Sequence, residues 1–209
     1  MRATGCFLAL VFAVSVRAGP EGDAYRGAEP RLLAQVRADF AAAPESAAAT
    51  DRLIQLLDGT LSADAGGWSP IFRAYRAALE GLAGKHSRRP WSQYQRAKAG
   101  LAQFHGLVEA HPESIEIRML RYSFCSQLPG FFDMRPQAEA DLAALADLLD
   151  RNADPGVDAA YRRGAIRWIL RNGAPSPEQR RRLEAVSSAA EAEPVESGKI
   201  GLSPPRGGE

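Results

Sequence analysis

The sequence predicts an all-α fold, and three observations support this prediction. Apolar residues recur with the spacing of one helical face, and no segment shows the alternation of apolar and polar residues that is typical of a strand. Prolines precede the periodic segments at regular intervals. Polar capping residues and glycines mark several of their ends. The architecture that we expect is a set of stacked αα-hairpins, as in a helical solenoid.

Length and composition fit a single folded domain. The chain has 209 residues, of which 45% are hydrophobic and 24% are charged, and both values are ordinary for a globular protein. They exclude collagen-like, wholly disordered and polytopic membrane proteins. We expect a leader, a flexible lead-in, one all-helical domain and a disordered tail, at residues 1–18, 19–27, 28–187 and 188–209.

The leader has the features of a secretory signal peptide. Arg2 supplies the positive charge, an apolar run follows, and Ala18 is a small residue at the expected cleavage position. The apolar run has about ten residues, half of what a bilayer span requires, so we expect cleavage rather than an uncleaved anchor. Export to a periplasm or beyond follows, and after cleavage we expect no transmembrane segment.

Charge and cysteine content restrict the partners and the chemistry. Removal of the leader takes away Arg2 and Arg17, so the formal charge changes from +1 to −1 and no overall basic field favours nucleic acid. Cys6 leaves with the leader, which makes an intramolecular disulfide impossible. We expect the remaining thiol, Cys125, to be buried as a small hydrophobic residue.

Prolines mark eight predicted helix starts. Proline is tolerated at the first helical position because its missing N–H would have no intrahelical partner there. From the third of these prolines on, the starts are 20, 22, 24, 19 and 22 residues apart, which predicts one helical hairpin about every 42 residues. The eight are Pro30, Pro44, Pro70, Pro90, Pro112, Pro136, Pro155 and Pro177.

Apolar stripes with helical spacing predict the buried faces of these helices. The final helix opens with Ser176 and Gln179 at capping-box spacing, and no apolar periodicity continues beyond residue 188. In chain order the stripes are Leu32, Leu33, Val36 and Phe40; Phe72, Tyr75, Leu79 and Leu82; Trp91, Tyr94, Leu101, Phe104 and Val108; Leu142, Leu145 and Leu149; and Tyr161, Ala165, Trp168 and Ile169.

The segment 114–128 has two apolar stripes on opposite sides of a helix, which predicts neighbours on both sides. Arg118 and Arg121 share one edge between the stripes with Cys125, and Glu116 lies on the other edge. A partly desolvated arginine is costly unless a carboxylate or another anion neutralises it.

Two interpretations of Arg118 and Arg121 stay open. In the first, each arginine pairs with an acid of an adjacent helix. In the second, both face a groove and bind a carboxylate or phosphate group of a partner in a bidentate manner. For the first interpretation the candidate acids are Asp141, Glu139 and Glu80.

One predicted helix resembles part of a tetratricopeptide repeat. Gly100, Phe104 and Pro112 occupy the small, aromatic and proline positions of the second helix of such a repeat. Leu107 is larger than the residue usual at its position, and the preceding helix lacks the Trp, Leu, Gly and Tyr of such a repeat. The resemblance therefore covers about one repeat.

A combination of three short patterns carries a wider resemblance. Between residues 70 and 150 the chain has a Lys85-His86 pair, a Glu-x-Arg-x-Leu-Arg-x-Ser helix from Glu116 and a Pro-x-Phe from Pro129. This combination resembles a family of short exported bacterial proteins with tetratricopeptide-like helical hairpins and no assigned activity. The resemblance implies a helical, exported protein and transfers no chemistry.

Lys85 and His86 end the helix that is predicted to begin at Pro70. We expect these cations to cap carbonyl groups at a helix C-terminus. His105 and His111 lack the spacing of a two-histidine metal site, so we expect no metal and no cofactor.

Phe131 and Phe132 are adjacent in a short apolar turn between two predicted helices. Adjacent aromatic rings in such a turn are either an exposed anchor for a partner or a lid that folds back on the hairpin. Both interpretations stay open.

The sequence contains no nucleophile elbow, Gly-rich phosphate loop, two-histidine zinc helix or Ser-x-x-Lys motif. We therefore expect an exported, non-catalytic adaptor that binds a protein or peptide near the helix at 113–128. The alternative is a small-anion or carboxylate-binding protein, or a hydrolase, whose site residues are Lys85, His86, Glu116, Arg118 and Arg121.

Overall fold

The computed structural model describes residues 23–61 and 67–192, with the side chains of 23 and 189–192 excepted. Within these ranges the chain forms eight α-helices and no strand, which confirms the all-α prediction. The predicted leader lies outside the described residues, as do 19–22 of the lead-in and 193–209 of the tail. None of the described helices combines the length and hydropathy that crossing a membrane requires.

Short 3₁₀ turns precede α1, α2 and α6, at Asp23–Tyr25, Ala43–Glu45 and Gly130–Phe132. The helices are α1 Pro30–Phe40, α2 Ala47–Thr60, α3 Pro70–His86, α4 Pro90–Ala110, α5 Ile115–Gln127, α6 Arg135–Arg151, α7 Ala159–Asn172 and α8 Pro177–Ala192.

Helix starts follow proline where no better cap is near. α1, α3, α4 and α8 each begin at the predicted proline. α5 and α7 begin later than Pro112 and Pro155, because the side chains of Ser114 and Asp158 accept hydrogen bonds from the N–H groups of Ile117 and Tyr161 and so set the N-caps.

α5 lies at the centre of the fold and contacts α3, α4 and α6. Its two predicted stripes are buried apart from a half-buried Phe124, as the sequence predicts for a helix with neighbours on both sides. Close packing beside it depends on Gly100 of α4, where a Cβ would lie 2.8 Å from the carbonyl oxygen of Ala77 in α3.

The segment before α1 differs from the predicted flexible lead-in. Tyr25 is 2% exposed, and its ring fills the space that a Cβ on Gly156 would need. Ser69 donates a hydrogen bond to the carbonyl oxygen of Ala24. The apolar body of Tyr25 thus fixes the 3₁₀ turn Asp23–Tyr25 in the core.

Two further differences concern the ends of helices. α8 continues to Ala192, beyond the expected domain boundary at 187. Trp91, expected in a buried stripe, is 70% exposed. α4 has 21 residues whereas α5 has 13, so the first turns of α4 are not covered by α5.

Candidate functional site

Glu116 lies at the centre of a buried polar cluster and is fully buried. Its carboxylate accepts hydrogen bonds from the hydroxyl groups of Tyr25 at 2.9 Å and Tyr75 at 2.6 Å. Arg37 of α1 donates from Nε at 2.8 Å and pairs with it through Nη2 as well. The ring of Tyr161 lies 5.1 Å from the guanidinium carbon of Arg37. Protein groups therefore occupy both carboxylate oxygens.

Burial and charge shift the pKa values of the three tyrosines and of Arg37 in this cluster. Burial, reinforced by the negative charge of Glu116, raises the pKa of Tyr25, Tyr75 and Tyr161 well above the ordinary value. Burial by itself would lower the pKa of Arg37, but attraction to Glu116 outweighs it and the pKa is raised. The tyrosines remain neutral donors and the arginine remains charged, so the cluster has the chemistry of a structural ion pair.

Arg118 and Arg121 are paired inside the fold. Arg121 binds the buried Asp141 of α6 in a bidentate manner, with Nε–Oδ2 at 2.8 Å and Nη2–Oδ1 at 2.6 Å. Arg118 donates to Asp141 Oδ1 at 3.1 Å and to the carbonyl oxygen of Pro112 at 2.6 Å. Arg118 and Arg121 therefore form ion pairs with Asp141, as in the first interpretation. The second interpretation, a groove in which both bind an anion of a partner, does not hold, because these guanidinium groups already have partners inside the fold.

Lys85 and His86 attach the end of α3 to the turn before α2. Lys85 Nζ donates to the carbonyl oxygen of Pro44 at 2.6 Å, and His86 Nε2 lies 2.9 Å from the carbonyl oxygen of Ala43. Both residues contact carbonyl oxygens of a short helical turn, as the sequence predicts for a capping pair, but this turn precedes α2 and is not the end of their own helix. Glu45 adds a carboxylate 3.8 Å from Lys85.

The five residues of the alternative small-ligand site have separate partners. Lys85 and His86 bond to the turn Ala43–Glu45, Glu116 bonds to Arg37 and two tyrosines, and Arg118 and Arg121 bond to Asp141. These five residues therefore do not converge on one ligand site.

Two buried groups next to α5 are structural rather than reactive. Burial raises the pKa of Cys125 to about 12, so the thiol is protonated, and its predicted burial is confirmed. Asp154 accepts hydrogen bonds from the backbone N–H of Ile115 at 2.8 Å and of Gly156 at 2.9 Å, and thus caps α5. Burial raises the pKa of Asp154.

No group of three or more metal-ligating side chains occurs among the described residues. A cleft of about 450 Å³ between α2, α3 and α4 is lined by charged side chains that include Arg76 and Arg96. Both arginines form ion pairs with Glu80, at 2.9 and 3.1 Å. Neither arginine is therefore free to bind an anion in this cleft.

A row of four stacked aromatic rings lies on the surface, hereafter the aromatic row. The ring centroids of Trp91 and Tyr94 are 5.7 Å apart, those of Tyr94 and Phe132 are 5.4 Å apart, and those of Phe132 and Phe131 are 4.7 Å apart. Trp91 and Phe131 form the two ends and are 70% and 74% exposed. Large apolar side chains of this kind are normally buried.

Two neighbouring connections position the aromatic row. Trp91 and Tyr94 lie one turn apart at the start of α4, so they share a face. Phe131 and Phe132 lie in the 3₁₀ turn before α6, which Asp133 ends in the left-handed conformation with φ of 52°. Phe132 packs against Tyr94, as the lid interpretation predicts. Phe131 is exposed, as the anchor interpretation predicts.

Three exposed cations belong to α4 and to the link before it, which carry Trp91 and Tyr94. Lys98 Nζ lies 5.5 Å from the centroid of the Tyr94 ring, within cation–π range. Arg88 and Arg89 are exposed in the link before α4. Within the described part of the chain, none of these three cations forms an ion pair with an acid.

The sequence identifies Phe131 and Phe132 as candidate binding residues but not Trp91 and Tyr94. The helical spacing of Trp91 and Tyr94 with Phe104 and Val108 predicts a buried stripe instead. Arg88 and Arg89, which come before Pro90 and Trp91, were the signal that could have indicated an exposed position.

No family model matches the chain, and comparison with curated proteins and with solved structures gives no match either.

Proposed function

We propose that this chain is an exported, non-catalytic helical-repeat protein of the tetratricopeptide-like kind, which acts as an adaptor for a protein or peptide partner. The aromatic row is the binding surface in this proposal, in place of the edge of α5 that carries Arg118 and Arg121. The observation that carries it is the exposure of Trp91 and Phe131 at the two ends of one continuous stack of rings.

The aromatic row has the composition of an interface core. Tryptophan, tyrosine and arginine dominate the binding energy of protein interfaces, and aromatic residues and methionine are enriched there. Stacking against Tyr94 and Phe132 restrains the two exposed rings, so a partner would lose little side-chain entropy in binding to them. Covering Trp91 and Phe131 would remove apolar surface from water, which favours association.

The surrounding charge indicates the kind of partner. Arg88, Arg89 and Lys98 have no acidic partner among the described residues. A segment with an apolar anchor and flanking carboxylates would complement this surface. The partner class is therefore an acidic peptide or an acidic loop of a protein.

Site-specific photo-crosslinking in cells tests the proposal. The mature chain would carry a photoreactive phenylalanine analogue in place of Phe131, and the control would carry it in place of Arg52, an exposed residue of α2. We expect a defined crosslinked protein with the first variant, its absence with the control, and its loss when Trp91→Ala is added.

The same protein crosslinked from both positions, or no crosslinked protein from position 131, would contradict the adaptor function at this surface. Circular dichroism and urea unfolding of Trp91→Ala establish that a lost crosslink reflects lost binding, since an exposed ring contributes little to folding.

Export has a separate test. N-terminal sequencing of the protein purified from its native cell should give a chain that begins at Gly19, because Ala18 occupies the predicted cleavage position. Retention of Met1 in the purified protein would contradict export by cleavage of this leader.

A further inference from the structure

The outer face of α7 carries three arginines, hereafter the arginine row: Arg163, Arg167 and Arg171. The helix contains four arginines and no acid. Members of the row are four residues apart, so they share one face and follow one another at about 6 Å along the helix axis. Arg167 and Arg171 are exposed and Arg163 is half-buried, whereas the buried residues of α7 lie on the remaining sides of the helix.

The arginine row has no partner within the described part of the chain. None of its three side chains forms a hydrogen bond or an ion pair with another described residue. Two neighbouring arginines differ in this respect. Arg182 of α8 pairs with Asp150 of α6 at 2.8 Å, and Arg162 of α7 donates to a carbonyl oxygen of α6 at 2.8 Å. Like charges at i and i+4 of a helix repel one another, so an anionic partner on the row would relieve a repulsion that the described residues leave in place.

The positive charge on this face of α7 forms a narrow strip. The other residues of the face, Ala160 and Gly164, are half-buried and carry no long side chain. The strip is therefore one arginine wide and about 12 Å long from Arg163 to Arg171. Binding to an anionic bilayer typically uses clusters of about four to eight cations, and the row supplies three. A linear array of anions matches this shape better than a flat anionic surface does.

A helix with acids on one face has the complementary spacing. Carboxylates at i, i+4 and i+8 of a helix also follow one another at about 6 Å, so three of them can face the three guanidinium groups. A guanidinium group pairs with a carboxylate in a bidentate manner. Ion pairs of this kind between neighbouring helices determine the choice of partner in coiled coils. The described fold is itself built by packing helices on helices.

We propose that the arginine row docks an acidic helix of a partner protein, whose carboxylates at i, i+4 and i+8 face the three guanidinium groups. The row would give the chain a docking surface in addition to the aromatic row, which lies on α4 and on the turn before α6. The contact is an exposed one, so each ion pair is weak, and salt that shortens the Debye length would release the partner. This proposal stands independently of whether the aromatic row binds a partner.

An NMR titration of the full mature chain with two designed peptides tests the proposal. The first is an alanine-based peptide of about 16 residues, held helical by a hydrocarbon staple, with glutamates at i, i+4 and i+8. At about 20 mM ionic strength we expect it to shift the backbone amide signals of 159–172, and at about 1 M, where the Debye length is about 3 Å, we expect no shift. The second peptide carries the same glutamates at i, i+5 and i+10, which point in three directions, and should bind about tenfold more weakly.

Two charge-matched triple variants of the protein give the controls. Replacement of the arginine row by glutamine should abolish the shifts that the first peptide causes. Because this variant also loses the repulsion within α7, its urea midpoint should not fall below that of the wild type, which shows that lost binding is not lost folding. Replacement of Arg31, Arg52 and Arg73, three exposed arginines of α1, α2 and α3, by glutamine changes the net charge equally and should leave the shifts intact.

Three results would overturn the proposal. The first is an absence of shifts over 159–172 with the first peptide at low salt. If vesicles of phosphatidylglycerol shift these signals instead, the occupant of the row is a bilayer surface. The second is a set of shifts that survives loss of the arginine row. The third is equal affinity for the two peptides, because the attraction would then depend on net charge and not on acids that share one face of a helix.

Discussion

Glu116 is a completely buried acid, and its burial is tolerated because of its neighbours. Removing a carboxylate from water is costly, and the cost is offset when a cation and additional hydrogen bonds satisfy both oxygens. Arg37 supplies the cation, and Tyr25 and Tyr75 supply the hydrogen bonds. One residue thereby joins α1, α3, α5 and the turn before α1.

Glu116→Gln should therefore destabilise the protein strongly. The amide would leave the buried guanidinium of Arg37 without a counter-charge, and breaking a buried pair in this way costs about 3–5 kcal/mol. Urea unfolding monitored by circular dichroism measures the loss. Glu139→Gln, at an exposed acid of α6, is the matched control and should change the free energy of unfolding by less than about 0.5 kcal/mol. Equal losses for the two variants would contradict the structural role.

Cys125 should be inert towards thiol reagents in the folded protein. A pKa of about 12 leaves almost no thiolate at pH 8, and burial blocks access as well. Mass spectrometry after iodoacetamide treatment at pH 8 should show an unmodified native chain and complete alkylation in concentrated urea. Rapid alkylation of the native chain would show that α5 and α6 separate readily at this position.

At the scale of elements, the contact of α3 with α4 depends on one glycine. A Cβ at Gly100 would lie 2.8 Å from the carbonyl oxygen of Ala77 and 3.2 Å from the ring of Phe124, whereas a Cβ at Gly106, on the same helix, would contact nothing. We expect Gly100→Ala to destabilise the protein by about 1–3 kcal/mol through overpacking. Gly106→Ala should instead stabilise it by about 0.5–1 kcal/mol, since alanine favours helix. The urea midpoints should move in opposite directions.

Asp154 links the start of α5 to the connection between α6 and α7, and its ionisation should make stability depend on pH. Its pKa in the folded state is raised by burial above the ordinary value of 3.8. Above about pH 4 the unfolded chain has lost this proton while the folded chain still holds it, so the contribution of Asp154 to stability falls as pH rises, until the residue is ionised in both states.

The comparison of wild type with Asp154→Asn isolates this effect. The free energy of unfolding of the wild type, relative to the variant, should fall as pH rises from about 4 and then level off. Urea unfolding across this pH range measures it. A difference that rises over the same range would mean that the backbone hydrogen bonds to Asp154, rather than burial, control its ionisation.

Local rules explain what the sequence could predict about these elements. Proline at the first helical position and apolar periodicity act within one helix, so the starts at Pro30, Pro70, Pro90 and Pro177 were predictable. Tertiary contacts were not: the partner of Glu116 is 79 residues away in sequence, and exposure of Trp91 depends on where α5 ends.

The candidate site was predictable to a similar extent. Two interpretations of Arg118 and Arg121 were available from burial of α5 alone, and Asp141 was among the candidate acids. The choice between them required the position of α6. The aromatic row required the relative position of two connections, which no helical period encodes.

At the scale of the whole molecule, the segment before α1 closes the fold. Tyr25 reaches Glu116 of α5 and lies against Gly156 between α6 and α7, while Ala24 bonds to Ser69 at the start of α3. A few residues near the N-terminus thus connect elements from the first half and the second half of the chain.

Removal of this segment should weaken the entire domain rather than one end. We expect the free energy of unfolding to be about 3–5 kcal/mol lower for a chain that begins at Ala28 than for one that begins at Gly19, because the shorter chain loses a buried aromatic ring. Tyr25→Phe, which keeps the ring and loses the hydrogen bond to Glu116, should lose only about 1–3 kcal/mol. Urea unfolding gives both values. If the shortened chain matched the longer one in stability, the core would have to close without Tyr25, and the cavity beside Gly156 would have to be filled by another side chain.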